Sequence, residues 1–85
     1  MNTYRYTFAS TCPANGEAII YKLQITSIDR ILVEHIKTAC ALQKRAYHED
    51  IAKDLSAQFK GDLLLVADHH GVEITTVLNQ IGVPS

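Results

Sequence analysis

The amino-acid sequence predicts an α+β fold with a four-stranded antiparallel sheet and two helices on one of its faces. Three observations lead to this prediction. Apolar and polar residues alternate through the first quarter of the chain, the apolar spacing becomes helical in the middle, and two short apolar runs follow. The predicted order is β-β-α-α-β-β. With 85 residues, the chain is expected to form a single domain, residues 1–85.

The first two strands are predicted to form a hairpin. Tyr4, Tyr6 and Phe8 alternate with polar residues, so their aromatic rings fall on one face of a strand. The segment EAIIYKLQI, residues 17–25, resumes this alternation. Between the two strands, CPANGE contains an Asn-Gly pair, which is a strong signal for a tight turn.

The first helix is predicted to follow a Thr26-x-x-Asp29 pattern, which resembles a helix N-cap. The apolar residues from Ile28 to Cys40 recur at helical spacing, so this helix is expected to extend to about residue 44 or 45. Cys40 lies on the apolar stripe of the helix. We therefore expect it to be a packing residue.

The second helix is predicted to open at YHED, because Tyr47, Ile51, Leu55 and Phe59 are spaced four residues apart. Acidic residues in its first turn suit the positive end of a helix dipole. Gly61 follows the last of these apolar residues, as expected at a helix C-terminus.

The last two strands are predicted at DLLLVAD and VEITTVL, with a bend at HHG between them. The tail NQIGVPS is expected to be irregular. A sheet with strands from both ends of the chain leaves unpaired edges, and pairing with another subunit is one way to cover them. The small core of such a chain also favours stabilisation by subunit contacts, so we expect a homo-oligomer.

Composition argues against several classes of protein. The net charge is −1, which does not fit a basic nucleic-acid-binding surface. No apolar run is long enough to span a membrane, and the first ten residues lack the apolar core of a secretory signal. We therefore expect a cytoplasmic protein with reduced thiols and neither membrane nor nucleic-acid partners.

Cys12 is the main candidate for chemistry, because it lies at a predicted strand end beside a turn. A cysteine thiolate is a good nucleophile when a base or a cation activates it. A buried structural thiol is the alternative. The residues alone leave both open.

The histidines raise the question of a metal site. His69 and His70 are adjacent and point to opposite faces if they lie in a strand, so they are poorly placed to share a metal. A zinc site that adds His48 or His35 is a weaker alternative, because the spacing matches no strong zinc signature. No metal site is predicted.

Four short segments occur in a recognisable order: CPANGE, LVE (residues 32–34), YHEDIAKDL (residues 47–55) and HHGVEI (residues 69–74). In this order the chain resembles the tunnelling-fold superfamily, and within it the 7-cyano-7-deazaguanine reductases of queuosine biosynthesis. The resemblance implies the same β-β-α-α-β-β unit, assembled edge to edge into a homo-oligomer with ligand pockets between subunits. It also implies a purine-like or pterin-like heterocycle as ligand.

The resemblance implies a role for several residues. Cys12 matches the family's nucleophile, which adds to a nitrile carbon and forms a thioimide. Glu49 matches the glutamate that holds the guanine-like edge of the base, and His48 matches the histidine beside it. Glu34, from the LVE segment, and His70 are further candidates for ligand binding. Because histidine titrates near neutral pH, His48 or His70 could assist proton transfer.

The chain also departs from the family pattern. Ile19 stands where the family has its proton-donating aspartate, and HIKTACAL does not match the segment that binds the nicotinamide cofactor NADPH. The cofactor is therefore left open. A thioimide can be attacked by ammonia or an amine instead of being reduced, so an amidine-forming relative is an alternative. A non-catalytic ligand-binding or assembly module of the same fold is another.

Overall fold

The fold was determined as a computed structural model, which describes residues 1–79 of the chain. The predicted element order and fold class are confirmed. Strands follow one another in the sheet in chain order, and every neighbouring pair is antiparallel. The elements are β1 (Asn2–Thr11), β2 (Ala18–Ser27), α1 (Val33–Ala41), α2 (His48–Gln58), β3 (Asp62–His69) and β4 (Val72–Leu78). The tail predicted to be irregular begins at Asn79 and otherwise lies outside the described residues.

The core lies between one face of the sheet and the two helices. In-register pairing aligns Phe8 with Tyr21, and Tyr21 with Ala67, so inward-facing side chains form rows across three strands. The helices cover this face with six buried apolar residues, and Phe59 directly after α2 adds a seventh: Ile36, Ala39 and Cys40 from α1, and Ile51, Ala52 and Leu55 from α2. The alternation in the sequence therefore marks the core face correctly. Within residues 1–79, no helix is long and apolar enough to cross a bilayer.

The two hairpins differ in their turns. The β1–β2 turn closes with Gly16 N–H donating to the Cys12 carbonyl at 2.8 Å, and Gly16 has a φ of 75°. The β3–β4 turn has two residues, His70 and Gly71, with φ values of 57° and 88°. Two consecutive positive φ values are the mark of a type I′ turn, which suits the twist of an antiparallel pair.

Helix α1 is shorter than predicted at both ends. Thr26 does not cap it, because Thr26 and Ser27 are still paired with β1 in the sheet. The Ser27 hydroxyl accepts a hydrogen bond from the Asp29 amide, and Ile28 is 70% exposed, outside any helical face. Pairing in the sheet therefore prevails over the capping pattern, and residues 28–32 form a loop.

The C-terminal end of α1 also comes earlier than predicted, and a different contact explains it. The Thr11 amide donates to the Lys44 carbonyl at 2.9 Å, and Thr11 and Arg45 form an isolated parallel bridge. Residues 44 and 45 are thus in extended contact with the end of β1 and cannot continue the helix. This contact also brings the end of β1 beside the segment that leads into α2.

A substitution at Gly61 tests the close approach of the α2–β3 connection to β2. Gly61 has a φ of 138°, and a Cβ there would lie 2.3 Å from the Thr26 carbonyl oxygen. Gly61→Ala is expected to lower the free energy of unfolding by about 2–4 kcal/mol. The control is Gly16→Ala, where φ is 75° but nothing lies within 4 Å, so a loss of about 1 kcal/mol is expected. Urea denaturation of both variants measures the difference, and equal losses would contradict the close approach.

Candidate functional site

Cys12 is held at the end of β1 by backbone contacts on both sides. Its own amide donates to the Glu17 carbonyl at 2.8 Å, across the hairpin turn. The preceding residue, Thr11, donates its amide hydrogen bond to the Lys44 carbonyl. The carbonyl of the following residue, Pro13, accepts a hydrogen bond from Arg45 Nη2 at 3.1 Å. These contacts fix the Cys12 backbone against the α1–α2 connection, directly before the first turn of α2.

A small pocket of about 90 Å³ is formed where the end of β1 meets the start of α2. Cys12, which is partly buried, lines it together with Glu49. The single chain therefore brings the thiol and the acid to one cavity. The other lining residues are Tyr21, Ala46, Tyr47, His48, His69 and Ile74.

His48 and His69 form a hydrogen-bonded pair in this pocket. Nδ1 of His48 lies 3.1 Å from Nε2 of His69, and the ring centroids are 5.2 Å apart. Both rings also contact the Tyr21 ring, at centroid distances of 5.5 Å for His48 and 5.8 Å for His69. The side chain of His48 is 3% exposed, and its other nitrogen, Nε2, makes no hydrogen bond within the described part of the chain.

Burial changes the ionisation of two pocket residues. The pKa of His48 is lowered, first because burial disfavours the charged imidazolium and second because of repulsion from His69. Interactions with the Leu65 backbone and the Glu49 charge oppose this shift. The pKa of Tyr21 is raised, mainly by burial and further by Coulombic interactions with Cys12 and Glu49. His48 is therefore expected to be neutral near pH 7.

Glu49 lies in the first turn of α2, as does its neighbour Asp50. Both side chains are exposed, and both suit the positive end of the helix dipole. Only Glu49 of these two lines the pocket. An exposed carboxylate at a pocket rim is free to accept two hydrogen bonds from a ligand with adjacent N–H groups.

Two of the predicted ligand-binding residues do not line this pocket. Glu34 is exposed in the first turn of α1. His70 is part of the β3–β4 turn, where Nδ1 lies 3.3 Å from a Glu17 carboxylate oxygen and Nε2 contacts Asn15. It thus joins the tips of the two hairpins. The neighbouring His69, which was not predicted as a site residue, takes the place in the pocket instead.

The two thiols differ in environment. Cys40 is 1% exposed in the core, and burial raises its pKa to about 11. This agrees with its predicted packing role. Ile19, where the sequence resemblance leads one to expect an aspartate, is 5% exposed and belongs to the same core. This position therefore holds an apolar core residue and supplies no acidic side chain.

A metal site is not assembled in the part of the chain that the structure describes. No group of three or more His, Cys, Asp or Glu side chains in residues 1–79 is placed to hold a metal ion. The His35 ring contacts the Phe59 ring in a tilted arrangement, at a centroid distance of 4.5 Å, and His35 does not line the pocket.

Comparisons with family models, with curated proteins and with solved structures found no match. The chemistry available at the pocket is that of its own side chains: a thiol, two hydrogen-bonded imidazoles and a carboxylate. A thiol can add to an electrophilic carbon, an imidazole can carry the proton, and a carboxylate can orient a ligand.

The lowered pKa of His48 predicts a stability change with pH. In the unfolded chain, His48 takes up a proton with an ordinary pKa of about 6.5, whereas the folded state takes it up only at lower pH. Between these two values the unfolded state binds more protons, so the free energy of unfolding falls as the pH decreases. Above about pH 6.5 His48 is neutral in both states, so the stability that its unprotonated form provides is fully present. Urea denaturation across this range measures the change.

The variant that checks this prediction is His48→Gln, which should reduce the fall in the free energy of unfolding. If this variant keeps the full pH dependence of the wild type, burial of His48 is not its source.

Proposed function

We propose that this chain is a tunnelling-fold enzyme that acts on a purine-like or pterin-like heterocycle through Cys12 as thiolate nucleophile. The observation that supports this most is that Cys12 and Glu49 line one pocket, as a nucleophile and a ligand anchor require. The ligand's N–H edge would bond to Glu49, and its electrophilic carbon would face the sulfur. Addition of the thiol to a nitrile is the reaction that the resemblance of the sequence segments implies.

The proposed site is completed by a second copy of the chain. A pocket of about 90 Å³ is too small for a heterocycle, since ligand sites usually enclose about 300 Å³ or more. One wall is Ile74 of β4, and β4 is an edge strand with unpaired backbone groups. A subunit that pairs along this edge would extend the wall beside the thiol. Native mass spectrometry tests this, because a monomer at all concentrations would contradict it.

The reaction after thiol addition is left open by the residues around the pocket. Reduction would need NADPH, for which the family's segment is not matched, whereas attack by ammonia or an amine would give an amidine. The two free cysteines, Cys12 and Cys40, support the proposed cytoplasmic location, because thiols stay reduced there.

Mass spectrometry with 7-cyano-7-deazaguanine tests the proposal. Thiol addition to the nitrile has no leaving group, so the intact protein should gain the full mass of the nitrile. Trypsin places the two thiols on different peptides, 6–22 for Cys12 and 38–44 for Cys40. The adduct is expected on peptide 6–22, and its absence at saturating ligand would contradict a catalytic Cys12.

The second candidate is a non-catalytic ligand-binding module of the same fold. The burial of Ile19 favours it, because no acid is available at that position to donate a proton. This candidate predicts a thermal shift with purines or pterins but no adduct and no turnover. An adduct would exclude it.

A further inference from the structure

The histidine pair is the feature of the pocket that the proposed function leaves without a role. Its two rings come from different elements, His48 from the start of α2 and His69 from the end of β3. Their 3.1 Å hydrogen bond lies in the same pocket as Cys12. A thiol needs a base to become a nucleophile at neutral pH, and an imidazole is the side chain best suited to that task.

The two histidines have different surroundings. His48 is 3% exposed and packed against Tyr21, so an added charge on its ring would be costly. His69 is half-buried at the end of its strand and is closer to solvent. His70 is engaged with Glu17 and Asn15 at the hairpin tips and does not line the pocket. His69 is therefore the histidine best placed to gain and lose a proton there.

The shared hydrogen bond also selects a ring nitrogen. Nε2 of His69 is hydrogen-bonded to His48. Nδ1 is therefore the nitrogen of His69 that remains to exchange a proton with the thiol. For Nδ1 to accept a proton, the proton between the rings must lie on Nε2 of His69. His48 must then accept through its own Nδ1, which a neutral ring can do.

We infer that His69, oriented by His48, is the base that takes the Cys12 proton when the sulfur adds to a carbon multiply bonded to nitrogen. The S–H bond breaks and a C–S bond forms. The proton passes through His69 to the nitrile nitrogen, so the thioimide contains every atom of both reactants. No oxidant or reductant is needed. This inference rests on the proposed nucleophilic role of Cys12, and it makes His48 a positioning residue.

The groups that can influence this pair come from each neighbouring element. Besides Cys12, which directly follows β1, they are Tyr21 from β2 and, at the start of α2, Tyr47 and Glu49. The β4 strand contributes Ile74, which carries no charge. The negative charge of Glu49 favours a protonated His48, but burial outweighs it.

The test is the rate at which iodoacetamide labels Cys12, followed on peptide 6–22 from about pH 5.5 to 9. His69→Gln is expected to slow labelling at pH 7 by about tenfold or more. His70→Gln, its matched neighbour outside the pocket, should label at the wild-type rate. Equal rates in these two variants would overturn the inference.

A second measurement needs no variant. Long-range ¹H–¹⁵N spectra of the wild-type protein report which nitrogen of His69 carries the proton. The inference requires the Nε2–H tautomer, and the Nδ1–H tautomer would overturn it.

These results are separable from failure of the proposed function. If His69→Gln loses labelling and the wild type forms no heterocycle adduct, His69 is supported as the base and the heterocycle is rejected as the ligand. An adduct that forms equally well in wild type and His69→Gln would support the ligand and reject the base.

Discussion

Cys12→Ala is expected to abolish the covalent adduct with 7-cyano-7-deazaguanine, with a loss of at least about 10³-fold in its rate of formation. The reason is that the sulfur forms the new bond and no neighbouring side chain can replace it. Binding of the heterocycle should change much less, because Glu49 remains in the pocket. Intact-mass spectrometry and a thermal-shift titration measure the two effects separately.

The matched control is Cys40→Ala, which removes the other thiol. Cys40 is fully buried and burial raises its pKa to about 11, so it is not a nucleophile at neutral pH. This variant should form the adduct at the wild-type rate and lose about 1 kcal/mol of stability. An adduct that survives Cys12→Ala and disappears in Cys40→Ala would reverse the assignment of the two thiols.

Glu49→Gln is expected to weaken heterocycle binding by about 10- to 100-fold. Hydrogen bonds to a charged carboxylate are stronger than those to a neutral amide, and an amide offers only one acceptor oxygen. Isothermal titration calorimetry with guanine-like and pterin-like ligands measures the loss.

Asp50→Asn controls for the change in charge. Both residues lie in the first turn of α2, so each substitution removes the same favourable interaction with the helix dipole, about 0.3–1 kcal/mol. Only Glu49 lines the pocket. Equal loss of binding in the two variants would mean that Glu49 acts through its charge at the helix end and does not hold the ligand.

Sequence patterns predicted the first three strands well because β1, β2 and β3 each place one face in the core. The alternation at Tyr21, Leu23 and Ile25 places these side chains inward, and all three are buried. The same rule, applied along β3 from Leu65, places His69 on the inward face. Strand parity could therefore have distinguished His69 from His70, but the position of the turn had to be known first.

The boundaries of α1 could not be predicted from local patterns. Its ends depend on contacts far apart in the sequence: the continued pairing of Ser27 with β1, and the bridge between Thr11 and Arg45. The same bridge brings Cys12 beside the first turn of α2. The pocket therefore depends on tertiary contacts. Cys12, His48 and Glu49 could be predicted as candidates from the sequence, but their arrangement around one cavity could not.

The most direct test of the shared pocket is iodoacetamide labelling of peptide 6–22 during titration with a heterocycle that lacks the nitrile. If Glu49 holds the ligand beside the sulfur, labelling of Cys12 should slow in a saturable way at the concentrations that give the thermal shift. In Glu49→Gln the same protection should require about 10- to 100-fold more ligand. A ligand that stabilises the protein but leaves Cys12 labelling unchanged would contradict the account.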